Sequence, residues 1–320
     1  MSALWSQAAI GVLGVLHAVA AFSYFSKARF AAAWAAAWIA FAAYCAWRLP
    51  GEPLLSAGLF GAAVVVWTGW WLAIRAMPRR VWVDDNAHQA TGRITGSELK
   101  ISHRRNFEWR SKLEFTPRWD DAVYDIEALK AVDLFVSTWA DPRMAHLIVS
   151  FVFADHTTLA FSIETRRETS EKWSSLAGLM KAYELVIIAA PESDLIRLRT
   201  NIRGETVRRY RLRLTPAMRR KLLRQYLREM NRLARQPRFY NTLLSNCTTE
   251  VARILRAAGR RVPFSWAIIV SGYVPRYFYR VGLIDNERPF AQIEAEADIG
   301  ARARDDSSGL DFSTRIRAPR

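Results

Sequence analysis

Three apolar stretches occupy the first quarter of the chain, residues 3–25, 29–48 and 54–76, each close to the ~20 apolar residues that cross a hydrocarbon core of about 30 Å. They carry almost no charge, and Trp5, Trp47, Trp67, Trp70 and Trp71 sit mostly near their ends, as aromatics do at a membrane surface. A buried hairpin of soluble helices does not call for that placement. A cleaved signal peptide would account for the first stretch only, and that stretch lacks both a basic start and a small-residue cleavage site. The reading is therefore an integral membrane protein. Lys27 and Arg29 in one loop, and Arg75, Arg79 and Arg80 after the third stretch, favour a cytoplasmic side for both under the positive-inside rule. Long domains translocate largely regardless of such charges, so charge alone leaves the side open.

The chain has 320 residues and a formal net charge of +16, of which residues 1–80 supply +5. That leaves a basic soluble portion of one-domain size. Such charge suits nucleic acid or anionic lipid headgroups equally well by Coulomb attraction. No nucleic-acid-binding signature accompanies the arginines, and a domain tethered to a bilayer meets lipid first, so nucleic acid is not expected. Cys45 lies in the second apolar stretch and Cys247 deep in the soluble portion, so the two cysteines do not form a disulfide framework.

Residues 79–120 read as a basic connector with weak strand character, dense in Arg and Trp, that either wraps the core or lies on the membrane. Beyond it, Val132–Thr138, His146–Phe153 and Thr158–Thr165 read as strands, with Asp155-His156 as a turn between the last two. Residues 171–183 show helical spacing at Trp173, Leu176, Leu179, Met180 and Tyr183, and Leu185–Ala189 and Leu195–Thr200 read as further strands. An alternating run then sets Tyr210, Leu212 and Leu214 against Arg209, Arg211 and Arg213, an arginine face that is either a headgroup-contacting surface or a solvated strand face. Thr215-Pro216 starts a helix that Pro237 stops, and a second helix runs from Asn246 to a Gly259 cap. The stretch 296–320 is charged and poor in large apolar residues, and is expected to be loosely ordered.

Cys247 carries the chemical interest. Asn246 is a natural N-cap, which puts Cys247 in the first helical turn, where unpaired N–H groups and the helix dipole stabilise a thiolate. A thiolate facing the fold needs a proton partner, and His146, opening a long apolar strand, is the candidate general base. The alternative for the pair is a buried structural cysteine and a satisfied core histidine. A tight turn at 155–156 would bring Glu164 or Thr165 beside His146, and Glu164 is the better candidate because a carboxylate also stabilises an imidazolium. Asn246, Ser162, Tyr240 and Thr248 are the candidates for supporting substrate or oxyanion. No HExxH or CxxC is present, so no metal or other cofactor is expected.

The run His146-Leu-Ile-Val-Ser-Phe-Val-Phe, then Ser162-Ile-Glu-Thr-Arg-Arg-Glu168, Tyr183-Glu184, Ile196-Arg-Leu-Arg199, Phe239-Tyr-Asn241 and Asn246-Cys-Thr-Thr249 resembles the Lnb N-terminal periplasmic domain family. That family belongs with lipoprotein intramolecular transacylases. The resemblance covers roughly residues 120–290. It implies a circularly permuted papain-like domain of the NlpC/P60 kind (121–295); with the readings above, the expected architecture is α+β, with three N-terminal transmembrane helices (1–78), the connector (79–120), that domain and a charged tail (296–320). It also implies Cys247 as nucleophile, His146 as base, and a periplasmic domain on the bacterial inner membrane acting on a membrane lipid or lipoprotein. The family carries a substantial membrane portion after this domain, whereas here the apolar stretches precede it. A cysteine peptidase or amidase acting on cell-wall peptide, and a non-catalytic tethered binding module, are the rival readings.

Overall fold

A computed structural model describes residues 2–24, 31–77, 80–171, 174 and 177–319. The chain divides into two compact units. One comprises residues 1–80, 167–184 and 238–242, the other residues 81–166, 185–237 and 243–320.

In the first unit the apolar stretches form helices α1 (Ser2–Tyr24), α2 (Ala31–Arg48) and α3 (Pro53–Ala73). By length and hydropathy α3 can cross a membrane, and α1 contains a shorter apolar run, Leu4–Ala20. Ile10, Ala42, Cys45, Leu49 and Phe60 pack between the helices. Gly14 lets α1 and α2 approach, because a Cβ there would lie 2.4 Å from that of Ala42. His17 turns its ring to Trp67 at 4.6 Å and to Trp38 at 5.8 Å. Lys27, Arg29 and Arg79, used above for orientation, lie outside the described residues, as do Trp173 and Leu176 of the expected helix over 171–183. What is described there is one short turn, Ala177–Leu179.

The second unit begins within the stretch read as a connector with weak strand character, and residues 91–125 form strands there. Strands β1 (Thr91–Thr95), β2 (Glu98–Arg105), β3 (Glu108–Trp109), β4 (Phe115–Thr116) and β5 (Trp119–Asp125) form a three-stranded sheet β1-β2-β5 and a β3-β4 pair. Leu99, Ile101, Phe107 and Trp109 are buried beneath them. The buried Arg105 is a reason this charge-rich stretch folds inward: it forms a two-pronged pair with Asp194 at 2.8 and 2.9 Å.

The main sheet has the order β10-β6-β7-β8-β9, from β6 (Leu129–Trp139), β7 (Asp141–Phe153), β8 (Thr158–Arg166), β9 (Glu184–Ala190) and β10 (Thr206–Arg211). The expected strands at 132–138, 146–153, 158–165 and 185–189 are present within these. Their near-continuous apolar runs are covered on both faces, as such runs require. On one face α5 (Pro216–Arg235) inserts Tyr226, stacked on Phe161 at 5.0 Å and edge-on to Phe151. On the other, Phe135, Ile148 and Ala160 pack with Leu195, Ile196, Ile299, Ala303, Phe312 and Ile316.

Two expectations are corrected there. Leu195–Thr200 is not a strand: Pro191, Glu192 and Asp194 start α4 (Glu192–Arg197), which runs into a π-helical turn, Leu198–Ile202. The tail is folded as well. After α6 (Cys247–Ala257), α7 (Val274–Arg280) and α8 (Phe290–Ala297), helices α9 (Gly300–Arg304) and α10 (Phe312–Arg315), with the flanking Ile299 and Ile316, place four apolar side chains in the core. The arginine face of β10 is mostly engaged internally. Arg211 meets the fully buried Asp133 at 2.6 Å, with Arg209 at 3.4 Å and the tail's Arg317 at 2.9 Å, while Arg213 pairs with Glu287 at 3.0 Å.

Candidate active site

The site grows from the register of three strands. β6 and β7 pair Ser137 with His146, and β7 and β8 pair Ile148 with Ser162. Carried two residues further, the second ladder sets Glu164 opposite His146, and alternation turns all these side chains to the same side. The turn at 154–156, with His156 in the left-handed region at φ 67°, fixes that register.

His146 is 7 % exposed, at the point where the apolar run of β7 gives way to the exposed Met144. Its Nε2 lies 2.7 Å from Ser162 Oγ and 3.1 Å from Glu164 Oε1. Ser162 donates its hydroxyl proton to Glu164 Oε1 at 2.7 Å, so its oxygen accepts from His146 and the proton resides on Nε2. With Nε2 so engaged, Nδ1 is the ring nitrogen left for a thiol.

Beyond Glu164 lies a cation that sequence reasoning did not single out. Arg199, in the π-helical turn, donates to Glu164 Oε1 at 3.1 Å and through its other nitrogen to Glu205 at 3.3 and 3.4 Å. Ser137, the ladder partner of His146, in turn hydrogen-bonds Glu205. The polar groups thus form a chain that ends on the imidazole: Ser137, Glu205, Arg199, Glu164, Ser162.

Cys247 opens α6 beside His146. Asn246 accepts from Thr248 N and Thr249 N, both at 2.9 Å, and Thr249 Oγ1 accepts from Asn246 N at 2.9 Å, a complete capping box. Cys247 is half-buried, whereas Cys45 is fully buried, so of the two cysteines it is the reachable one. Thr248 Oγ1 lies 3.8 Å from its sulfur. Burial alone would raise the Cys247 pKa, but the charge and hydrogen bond of His146, the Leu147 backbone N–H and Thr248 hold it below that of an ordinary thiol. Burial alone would lower that of His146, and Glu164 together with Cys247 pushes it up to about 9. Burial would likewise raise Glu164, yet His146 and Arg199 hold it well below the usual carboxylate range. All three shifts run toward the charged form of the group.

Of the residues expected from sequence, Cys247, His146, Glu164 and Ser162 come together, and Asn246 and Thr248 build the turn beneath the sulfur. Asn246 is occupied with capping. Ser162, 0 % exposed and wedged between His146 and Glu164, is placed to orient the imidazole rather than to meet a substrate. Tyr240 lies in the other unit, where its backbone donates to Tyr183 O at 2.9 Å and its ring rests near Gly178. Arg199 sits in the alternation that reads as a strand over Leu195–Thr200, whereas the Pro-Glu-x-Asp start upstream marks the helix that delivers it. Among the described residues no group of three His, Cys, Asp or Glu is placed to hold a metal ion.

Residues 115–272, just under half the chain, match the family model described as the Lnb N-terminal periplasmic domain, and that segment belongs to this family. His146, Ser162, Glu164, Arg199 and Cys247 all fall inside the match. No curated protein and no solved structure matches the chain. A domain described as periplasmic, together with a helix able to span a bilayer, makes this a membrane protein with a periplasmic domain.

Proposed function

We propose, from the membership of residues 115–272 in the Lnb N-terminal periplasmic domain family, that the chain is a membrane-anchored thiol acyltransferase acting on acyl esters of a membrane lipid or lipoprotein. In this reading α1, α2 and α3 are three spans of a multi-pass anchor in the bacterial inner membrane, and the domain is a circularly permuted papain-like fold of the NlpC/P60 kind. The observation that carries the proposal is the grouping of Cys247 with an imidazole whose far nitrogen is held by Ser162 and Glu164.

The chemistry follows from that pairing. The Cys247 thiolate attacks the ester carbonyl, and the carbon–oxygen double bond becomes an oxyanion. Collapse of this intermediate breaks the bond to the leaving alcohol, which takes the proton from His146, and a thioester remains on Cys247. An acceptor amine or hydroxyl then attacks the thioester and gives its proton to His146, and the thiolate departs. Glu164, anchored by Arg199, keeps the imidazole oriented and stabilises its charged form throughout. The basic balance of the chain favours an anionic membrane surface as the setting.

Intact-mass measurement of protein purified from membranes, wild type beside Cys247→Ala, tests the proposal. A fatty-acyl increment on wild type only, removed by hydroxylamine, is the expected result. Turnover of a cell-wall peptide without such an adduct would replace the reading by a cysteine peptidase or amidase, in which water is the acceptor. Full complementation of a deletion by both Cys247→Ala and His146→Ala at equal expression would leave only a binding module.

A further inference from the structure

The face of the main sheet turned away from His146 carries a cavity of about 280 Å³ that the thiol chemistry does not use. Val136 and Thr138 of β6 and Arg208 and Tyr210 of β10 line it, with Arg276 of α7 and Phe290 and Glu294 of α8. Val136 and Thr138 flank Ser137, and strand alternation points them opposite to the side shared by Ser137 and His146. Arg208 is the ladder partner of Val136, which places it on the cavity side as well.

Three hydrogen-bond donors at this cavity are unspent. Tyr210 is 2 % exposed, and its hydroxyl finds no hydrogen-bond partner. Buried polar groups are almost always paired, so an orphan hydroxyl on a cavity wall marks the place of a missing partner. Neither Arg208 nor Arg276 makes an ion pair among the described residues, and the contact found for the Arg276 guanidinium is with the Phe290 ring, at 6.0 Å. Arg143, also on the rim, differs in being neutralised by Asp141 at 2.8 Å. The cavity therefore offers two free guanidiniums and a phenol proton, with one carboxylate, Glu294, on the same wall.

We propose that this cavity binds a zwitterionic phosphate ester. The phosphate oxygens accept from Arg208, Arg276 and Tyr210, and the ligand's ammonium group sits against Glu294. Donors arriving from a strand and a helix suit a tetrahedral oxyanion better than a planar carboxylate, and guanidinium groups favour phosphate. Glu294 would repel a purely anionic ligand, and that selects one carrying a cation as well. The volume lies just below the range of about 300–1,000 Å³ for ligand pockets and suits a headgroup rather than a whole lipid. The ligand could be a free ester or the headgroup of a membrane lipid, and the chemistry is the same.

The test is calorimetric titration of the full chain in detergent and phosphate-free buffer, with phosphoethanolamine as probe and inorganic phosphate and ethanolamine as comparisons. Saturable binding of phosphoethanolamine, about tenfold or more tighter than inorganic phosphate, is expected. Tyr210→Phe, which deletes one hydroxyl, should weaken it about tenfold and leave the rate of Cys247 alkylation unchanged. Glu294→Gln should abolish the preference over inorganic phosphate. A short-chain phosphatidylethanolamine in mixed micelles separates the sources: much tighter binding than the free headgroup assigns a lipid, equal binding a free ester. No saturable binding of either form up to about 10 mM, equal affinity for inorganic phosphate, or wild-type binding by both Tyr210→Phe and Arg208→Gln would overturn the proposal.

Discussion

Arg199 and His146 share one oxygen: Glu164 Oε1 lies 3.1 Å from Arg199 Nη2 and 3.1 Å from His146 Nε2. A carboxylate held between two cationic groups resists protonation, and its orientation is fixed from both sides. The second arm of Arg199 ends on Glu205, so the guanidinium cannot swing away without giving up contacts to two carboxylates at once. The imidazole is thus oriented through a chain of charge that reaches well beyond its nearest neighbours.

Glu164→Gln should therefore slow the thiol without removing it. The amide keeps the shape but not the charge, so His146 loses the largest influence that raises its pKa and the thiolate–imidazolium pair weakens. Losing about 1.4 kcal/mol of this attraction lowers the thiolate population about tenfold. Alkylation of Cys247 by iodoacetamide at neutral pH, followed by intact mass, should fall about tenfold or more. An unchanged rate and pH profile would remove Glu164 from the site.

The raised pKa of His146 also makes a stability statement. A histidine that titrates near 6.5 when unfolded and at about 9 when folded contributes stability that is complete below 6.5 and is lost as pH rises through 9. Glu164 remains ionised across that window, because its folded pKa is held well below 4.5. The melting-temperature gap between wild type and His146→Gln should accordingly shrink as pH rises across the window. A gap that widens would contradict the assignment.

The pairing of His146 with Glu164 was legible because a tight turn and period-two alternation fix register over a short distance. Arg199 was not. Leu195–Thr200 has the alternation of a half-buried strand, and the helix that overrides it is held by tertiary contacts, Asp194 to Arg105 and Leu195 to the sheet core. The folding of the tail was hidden for another reason. Ile299, Ala303, Phe312 and Ile316 are spaced among charges, so average composition reads as disorder although each residue reaches the core. Arg209 and Arg211 suggested a surface face because their counterion, Asp133, lies more than seventy positions away.

Asn246 tests the helix terminus. Asn246→Ala removes an acceptor shared by two backbone N–H groups and should cost about 1 kcal/mol of stability. Asn246→Asp retains the acceptor but sets a negative charge beside the sulfur, which should restore stability while raising the Cys247 pKa. Chemical denaturation together with the alkylation pH profile separates the two effects. Equal profiles for the Asp variant and wild type would show that the terminus does not tune the thiol.

Arg317 decides whether the tail belongs to the fold. Its guanidinium meets Asp133 at 2.9 Å and Glu192 at 2.5 Å, and both carboxylates are 0 % exposed. Asp133 retains Arg211 and Arg209 when Arg317 is removed, but among the described residues Glu192 retains only the Ser150 hydroxyl at 2.6 Å. Deleting one partner of a buried pair typically costs about 3–5 kcal/mol, because the remaining charge stays buried without compensation. Arg317→Met keeps much of the apolar stem and should show most of that loss in denaturant unfolding. Adding Glu192→Gln removes the stranded charge and should recover a substantial part, a coupling that a double-mutant cycle measures directly. If Arg317→Met unfolds at the wild-type midpoint, α10 and its ion pairs are not part of the stable core.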